Sequence, residues 1–418
     1  MDSKKKRRIM SLYNDLVQFY FNNSKKELDF EDKPLTNFLE IIYPVVKVDE
    51  FYCDDIFISS VIWHLENLCS EQILESEKLV DQLIKEIRDN FSINKEVHYL
   101  IFPLQGSGLK QDIRFSKFSF LIEKKEEEMI KQISMLTNID KARVLEALEH
   151  TKKSRSKDFL RSNIMIIETE NQTENVRYSV AQFAQCAIDF LHLIHSAFAM
   201  EHSFLRCGEL MQAENKHVAI LSKDNWRCGH GFKWNARLQC KMDLDFMADD
   251  QYQKIFNDLF YSFALNKNMD DLSNRFLNSF LLYSRGVTQK NVHKDNELAL
   301  LLFITAIEAL IVEGKQEKRL RLSAIISRII TIDGFPQYEV AGFLNEIYKK
   351  RNDFVHAGQT PRFTSESKDI NLLERITALL ILKYFKLDFL SEANTEQARI
   401  NSWLDYLDNV FDEVIFGK

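Results

Sequence analysis

Residues 337–358 read QYEVAGFLNEIYKKRNDFVHAG, and the fold of the C-terminal third turns on them. At about 100° per residue, Val340, Leu344, Ile347, Tyr348 and Val355 fall on one stripe, which predicts an amphipathic helix over 337–354 facing a core. Asp333-Gly334-Phe335-Pro336 before it, and Ala357-Gly358 with Pro361 after it, supply the start and stop signals. Arg351 falls in the middle of the apolar stripe. A guanidinium keeps its charge in proteins, so on a buried face it needs a carboxylate, a phosphate or a water-filled cleft.

Working outward, the spacing predicts helices over 275–285, 296–312, 317–330 and 366–387, and a last amphipathic segment over 396–416 that packs across the bundle. The 296–312 helix repeats the anomaly, because Leu301, Ile304, Ile311 and Val312 surround Glu308. Glu308 and Arg351 are expected to meet. Helical geometry alone leaves open whether they only set the helix register or belong to a site.

Asn352 follows Arg351 directly, and His356 lies five positions on. Cutting RNA without a metal needs a group that manages protons and a cation that stabilises charge on the phosphate, roles that His and Arg can fill. A lone histidine near a helix C-terminus is more simply structural or dipole-stabilised. On a regular helix Arg351 and His356 stand about 140° apart, so one helix converges them poorly.

The chain has 418 residues, 45% hydrophobic and 28% charged, enough for at least one full core and, by length, roughly two to three domains. The formal net charge of −7 excludes a strongly basic field over the whole molecule, so any RNA contact must be local. Two runs could supply it: Lys152, Lys153, Arg155, Lys157 and Arg161, and Lys315, Lys318, Arg319 and Arg321 continuing to Arg328. Each run alone reads more simply as solvated charge. The longest apolar stretch, 298–312, falls short of the ~20 residues needed to cross a bilayer, so no membrane span is expected. The opening MDSKKKRRIM lacks the apolar core of a secretion signal, which places the protein in the cytoplasm. The six cysteines lie far apart and are expected to be reduced thiols. Cys207, Cys228, His230 and Cys240 come nearest to a metal-ligand set, but their spacing matches no common zinc pattern.

The N-terminal two thirds reads differently. Residues 10–90 look helical, with periodic Val61, Leu65 and Leu68 and again Leu79, Leu83 and Ile87. Segments 96–103, 113–120, 163–168 and 217–221 look like strands, while 140–150 and 179–200 look helical. The expected organisation is a helical segment at 1–95, an irregular α+β domain at 96–270 and a helical domain at 271–418, mostly α overall.

Three stretches of the last part, FLLYSRG (280–286), LLFITAIEALIVEG (301–314) and NEIYKKRNDFVHAG (345–358), resemble the Apea-like branch of the HEPN superfamily, found in bacterial abortive-infection proteins. The resemblance covers about residues 272–390, roughly a third of the chain, and the motif reads Arg351-Asn352-Asp353-Phe354-Val355-His356. It implies a HEPN helical bundle and a metal-independent endoribonuclease without a cofactor. In it the RNA 2′-hydroxyl attacks the adjacent phosphate, Arg351 stabilises the transition state, His356 handles protons or positions the phosphate, and Asn352 orients its neighbours. Glu308 and Asp353 would support that site, and Lys315, Lys318, Arg319, Arg321, Lys349 and Lys350 would hold RNA. The resemblance also implies a homodimer with two motifs lining one cleft, an RNA substrate with tRNA among the candidates, and an antitoxin or phage-derived trigger. A HEPN module that binds RNA or nucleotides without cutting, and a helical interaction scaffold, stand as the alternatives.

Overall fold

The computed structural model describes residues 3–22, 33–46, 80–85, 95–105, 107–153, 162–198, 206–207, 216–222, 226–231, 242–264, 271–311, 318–357, 368–385 and 396–416. Near the N-terminus, α1 (Ser3–Asn22) packs on α2 (Lys33–Val46), with the Tyr13 and Phe38 ring centroids 5.6 Å apart. Residues 80–85 are also helical, and Asp81 pairs with Lys6 of α1. Of the apolar positions expected on helices here, Leu83 is buried, whereas Val61, Leu65, Leu68, Leu79 and Ile87 lie outside the described residues.

The apolar run after Glu96 forms β1 (Lys95–Gln105), an inner strand of a seven-stranded antiparallel sheet. Its neighbours on one side are β5 (Asn163–Gln172), then the β4 (Phe118–Leu121) and β3 (Ile113–Phe115) hairpin. On the other side β7 (Lys216–Ser222) pairs with one end of β1 and β6 (Arg206–Cys207) with the opposite end, and β8 (Trp226–Gly231) follows β7. A short parallel pair, β2 (Ser107–Gly108) with β9 (Met242–Asp243), stands apart.

Along β1, Leu100, Phe102 and Leu104 enter the main core. Ile101 faces a second cluster with Ile130 and Ile133 of α3 (Glu126–Thr137) and Val144 and Leu148 of α4 (Lys141–Lys153). Burial on both faces explains why this strand reads as a continuous apolar run rather than an alternating one. Helix α3 opens on Glu126, Glu127 and Glu128, acidic side chains that favour the positive end of the helix dipole.

Helix α5 (Thr173–Phe198) carries the main core from the sheet to the C-terminal helices through Phe183, Phe190, Leu191 and Ile194. Helix α6 (Asp250–Leu259) sets Phe256 edge-on against Phe118, with centroids 4.9 Å apart. The remaining helices are α7 (Asp271–Thr288), α8 (Asn296–Ile311), α9 (Lys318–Ile329), α10 (Gln337–Ala357), α11 (Lys368–Phe385) and α12 (Glu396–Phe416), within a few residues of the limits expected from periodicity.

Helix α8 buries one broad face, including Ala299, Phe303, Ile307 and Leu310, while Leu298 and Thr305 on its other side are exposed. Gly286 of α7 lets it come close: a Cβ there would lie 2.6 Å from a ring carbon of Phe303. Ser279 Oγ of α7 donates to the Ala306 carbonyl (2.8 Å), and the Trp403 indole of α12 donates to the Leu310 carbonyl (2.7 Å). The molecule is thus mostly helical, with a small sheet in its N-terminal half, and one apolar cluster runs from Leu100 to Phe411. The boundary expected at 270 falls beside residues 265–270, outside those described. Among the described residues no helix is long and apolar enough to cross a membrane.

Candidate active site

Helices α8 and α10 carry the two charges that interrupt apolar faces. Around Glu308, Ile304 and Ile311 are buried; Leu301 is partly buried, and Val312 lies outside the described residues. Before Arg351, Val340, Leu344, Ile347 and Tyr348 are buried, as the stripe predicts. Val355 corrects that stripe. It lies in the last turn of α10 and is 48% exposed.

Glu308 and Arg351 do meet. Arg351 Nη2 lies 3.6 Å from Glu308 Oε2, with the side chains 22% and 16% exposed. That separation is an ion pair and longer than a hydrogen bond. The short contact of Glu308 goes to Tyr348, whose hydroxyl donates to Oε1 at 2.9 Å. The Arg351 guanidinium carbon sits 5.5 Å from the Tyr348 ring centroid, and Nη1 donates to Asn352 Oδ1 at 3.1 Å. Burial, then the hydrogen bond and charge of Glu308, push the Tyr348 phenol up to about 12, with Arg351 acting the other way. At neutral pH the phenol therefore keeps its proton and donates. Of the five N–H donors of the guanidinium, the hydrogen bond made among the described residues is the one to Asn352.

Helix α10 stays helical through Ala357, so Arg351, Asn352, Asp353 and His356 share one unbroken helix. Over five residues His356 lies about 7.5 Å further along the axis and about 140° around it from Arg351.

The cationic residues expected to hold RNA divide. Lys318, Arg319 and Lys349 are exposed, and Arg319 Nε donates to Asn345 Oδ1 of α10 at 3.0 Å. Arg321 is drawn to α12, pairing with Asp408 and lying 4.8 Å over the Phe411 ring, and Arg328 pairs with Glu413. Lys350 pairs with Asp369 of α11 at 3.0 Å. Lys315, Arg155, Lys157 and Arg161 lie outside the described residues, and Lys152 and Lys153 end α4.

Of the cysteine–histidine set, Cys207 is on β6, Cys228 and His230 are on β8, and Cys240 lies outside the described residues. Strands β6 and β8 do not pair with each other. Among the described residues no three His, Cys, Asp or Glu side chains converge as metal ligands. The thiol of Cys186 is free, and burial pushes it up to about 12.

A second charged cluster escaped the sequence reading. Glu374 of α11 accepts from Ser196 Oγ of α5 at 2.7 Å and pairs with Lys290, which sits on a π-helical turn (Gln289–His293) after α7. The two side chains are 9% and 11% exposed. Burial alone would raise the Glu374 pKa, but the charge and hydrogen bond of Lys290, the Ser196 hydroxyl and the nearby His192 outweigh it and hold the carboxyl below its usual range. Beside it the Tyr283 hydroxyl donates to the His192 carbonyl (3.3 Å) and Arg375 Nε to the Ala197 carbonyl (3.4 Å). The available signal was Glu374-Arg375 inside the apolar run 372–382.

No protein-family model matches the chain, and comparison with curated proteins and with solved structures returned no match.

Proposed function

We propose that this chain is a metal-independent endoribonuclease of the HEPN kind, an RNA-cutting toxin of a bacterial anti-phage system that works in the cytoplasm. The observation that carries it is the Arg351 guanidinium, placed against Glu308 and Tyr348 yet partly exposed and with one hydrogen bond among the described residues, with Asn352 beside it and His356 further along the same helix. A saturated, buried arginine would have no capacity left for a phosphate.

In the proposed reaction the 2′-hydroxyl oxygen of RNA attacks phosphorus and the bond to the 5′-oxygen breaks, leaving a 2′,3′-cyclic phosphate and a 5′-hydroxyl. His356 accepts the 2′-hydroxyl proton or returns one to the leaving oxygen, and Arg351 stabilises the charge on the phosphoryl oxygens. The angle between the two residues calls for a second copy of the chain, whose motif completes the cleft. The apolar stripe continuing to exposed Val355 supports pairing through this end of α10. Lys318, Arg319 and Lys349 are the exposed cations suited to RNA, tRNA included; Lys315 belongs to the same run.

Induced expression tests the proposal. Wild-type chain should arrest growth, while Arg351→Ala and His356→Ala should not; equal arrest by all three would remove the assignment. The contact between Tyr348 and Glu308 also favours a second reading, in which the cluster only locks α10 to α8. On that reading His356→Ala changes nothing.

A further inference from the structure

Between α5, α10 and α11 lies a cavity of about 500 Å³ lined by Ser196, Phe335, Phe343, Leu372, Glu374 and Arg375. Its size is within the roughly 300–1,000 Å³ of small-molecule sites. Phe335, Phe343 and Leu372 form an apolar wall, and Arg375 brings a cation.

Arg375 is 9% exposed, and its buried Nη1 makes no hydrogen bond. Its Nε reaches the Ala197 carbonyl at 3.4 Å, and among the described residues no carboxylate lies at ion-pair distance. A buried guanidinium short of partners is costly, and an anion in the cavity would bring Arg375 counter-charge. Burial pulls the Arg375 pKa below its usual value, with the charge of Asp333 opposing, as expected for a cation short of counter-charge.

The carboxylates at the cavity are already engaged. Glu374 is held by Lys290 and Ser196, Asp369 by Lys350 at 3.0 Å, and Glu339 accepts from the Tyr338 hydroxyl at 3.2 Å. The first turn of α11 also lines the space, through Asp369, Asn371 and Leu372, so the positive end of that helix dipole acts on it.

We propose that this cavity binds a small anionic molecule, a carboxylate or phosphate headgroup on a flat apolar body, with Arg375 taking the anion and Phe335, Phe343 and Leu372 the body. This site is separate from the RNA-cutting motif and does not rest on it. Its occupant would touch α10 at Phe343, eight residues before Arg351, and α5 at Ser196, tying the motif helix to the N-terminal half.

Thermal-shift and calorimetric titrations of the full chain with benzoate, adenosine 5′-monophosphate and inorganic phosphate test it. Benzoate or the nucleotide should bind and raise the melting temperature, and which does so names the headgroup; inorganic phosphate, lacking the body, should bind more weakly. Arg375→Gln should lower affinity roughly 10- to 100-fold, the usual loss for a hydrogen bond to a charged group. Leu372→Trp, which fills the cavity and keeps Arg375, should abolish binding, and Arg351→Ala should bind like wild type. No response to any of the three probes at millimolar concentration would overturn the proposal. So would wild-type affinity in folded Arg375→Gln or, if that variant does not fold, in Leu372→Trp.

Discussion

Among the described residues, two of the ion pairs that tie elements of the helical part together are built differently. Glu374 and Lys290 are sealed, 9% and 11% exposed, in close contact, with Ser196 holding a further lone pair of the carboxylate. Glu308 and Arg351 stand 3.6 Å apart and are 16% and 22% exposed, and the best hydrogen bond of Glu308 goes to a tyrosine. A sealed pair with its valences filled can only hold structure. The loose pair leaves its cation positioned and open, as a phosphate-binding group must be. The difference separates the junction of the fold from the proposed site.

The sharpest way to break this contrast is at the motif. His356→Ala should lower RNA cleavage by about two to four orders of magnitude, the usual range for losing a general acid or base, with the melting temperature nearly unchanged. A large drop in stability with activity intact in the folded fraction would reverse the roles.

At the junction the effect should fall on stability. Lys290→Met leaves the Glu374 charge buried without its cation and should cost about 3–5 kcal/mol, read by urea denaturation. Glu308→Gln, at the more exposed pair, should cost about 1 kcal/mol or less. Equal losses would mean that both pairs are structural.

Acid sharpens the same comparison. Because the folded Glu374 pKa is depressed below its ordinary value of 4.5, the unfolded chain binds its proton first as pH falls, so the contribution of this group is complete above that value and fades below it. The stability gap between wild type and Glu374→Gln should therefore narrow as pH drops from 6 towards 3. A constant gap would show that the carboxylate is not held ionised.

The smallest effect is alkaline. With its folded pKa up at about 12 against an ordinary 10, Tyr348 contributes fully below pH 10, and that contribution is lost as pH rises towards 12. Tyr348→Phe should lack this part of the alkaline loss of stability and cost about 1 kcal/mol at neutral pH. An unchanged alkaline slope would mean that burial and Glu308 do not hold the Tyr348 phenol above its ordinary value.

The helices after residue 271 were legible because their apolar spacing is regular and Gly314, Asp333-Gly334 and Ala357-Gly358 punctuate it. The meeting of Glu308 and Arg351 was legible too, since each charge breaks an otherwise apolar stripe. Periodicity could not show that Val355 is exposed, because it reports direction around a helix and not how far packing extends along it. Nor could it show Lys290, 84 positions from Glu374, on a π-helical turn within a stretch that reads as a loop. Strand β8 was hidden for a local reason: its glycines, Gly229 and Gly231, read as loop while its backbone pairs with β7.

The most direct test of the central claim is the chemistry of the cut. Purified chain incubated with RNA in excess EDTA should cleave it and leave 2′,3′-cyclic phosphate and 5′-hydroxyl ends, should fail on the same RNA carrying a 2′-deoxy sugar at the cut position, and should lose the activity in Arg351→Ala. Cleavage that stops on chelation and returns with magnesium or manganese, or that proceeds past the 2′-deoxy position, would contradict the assignment of Arg351 and His356 as the catalytic pair.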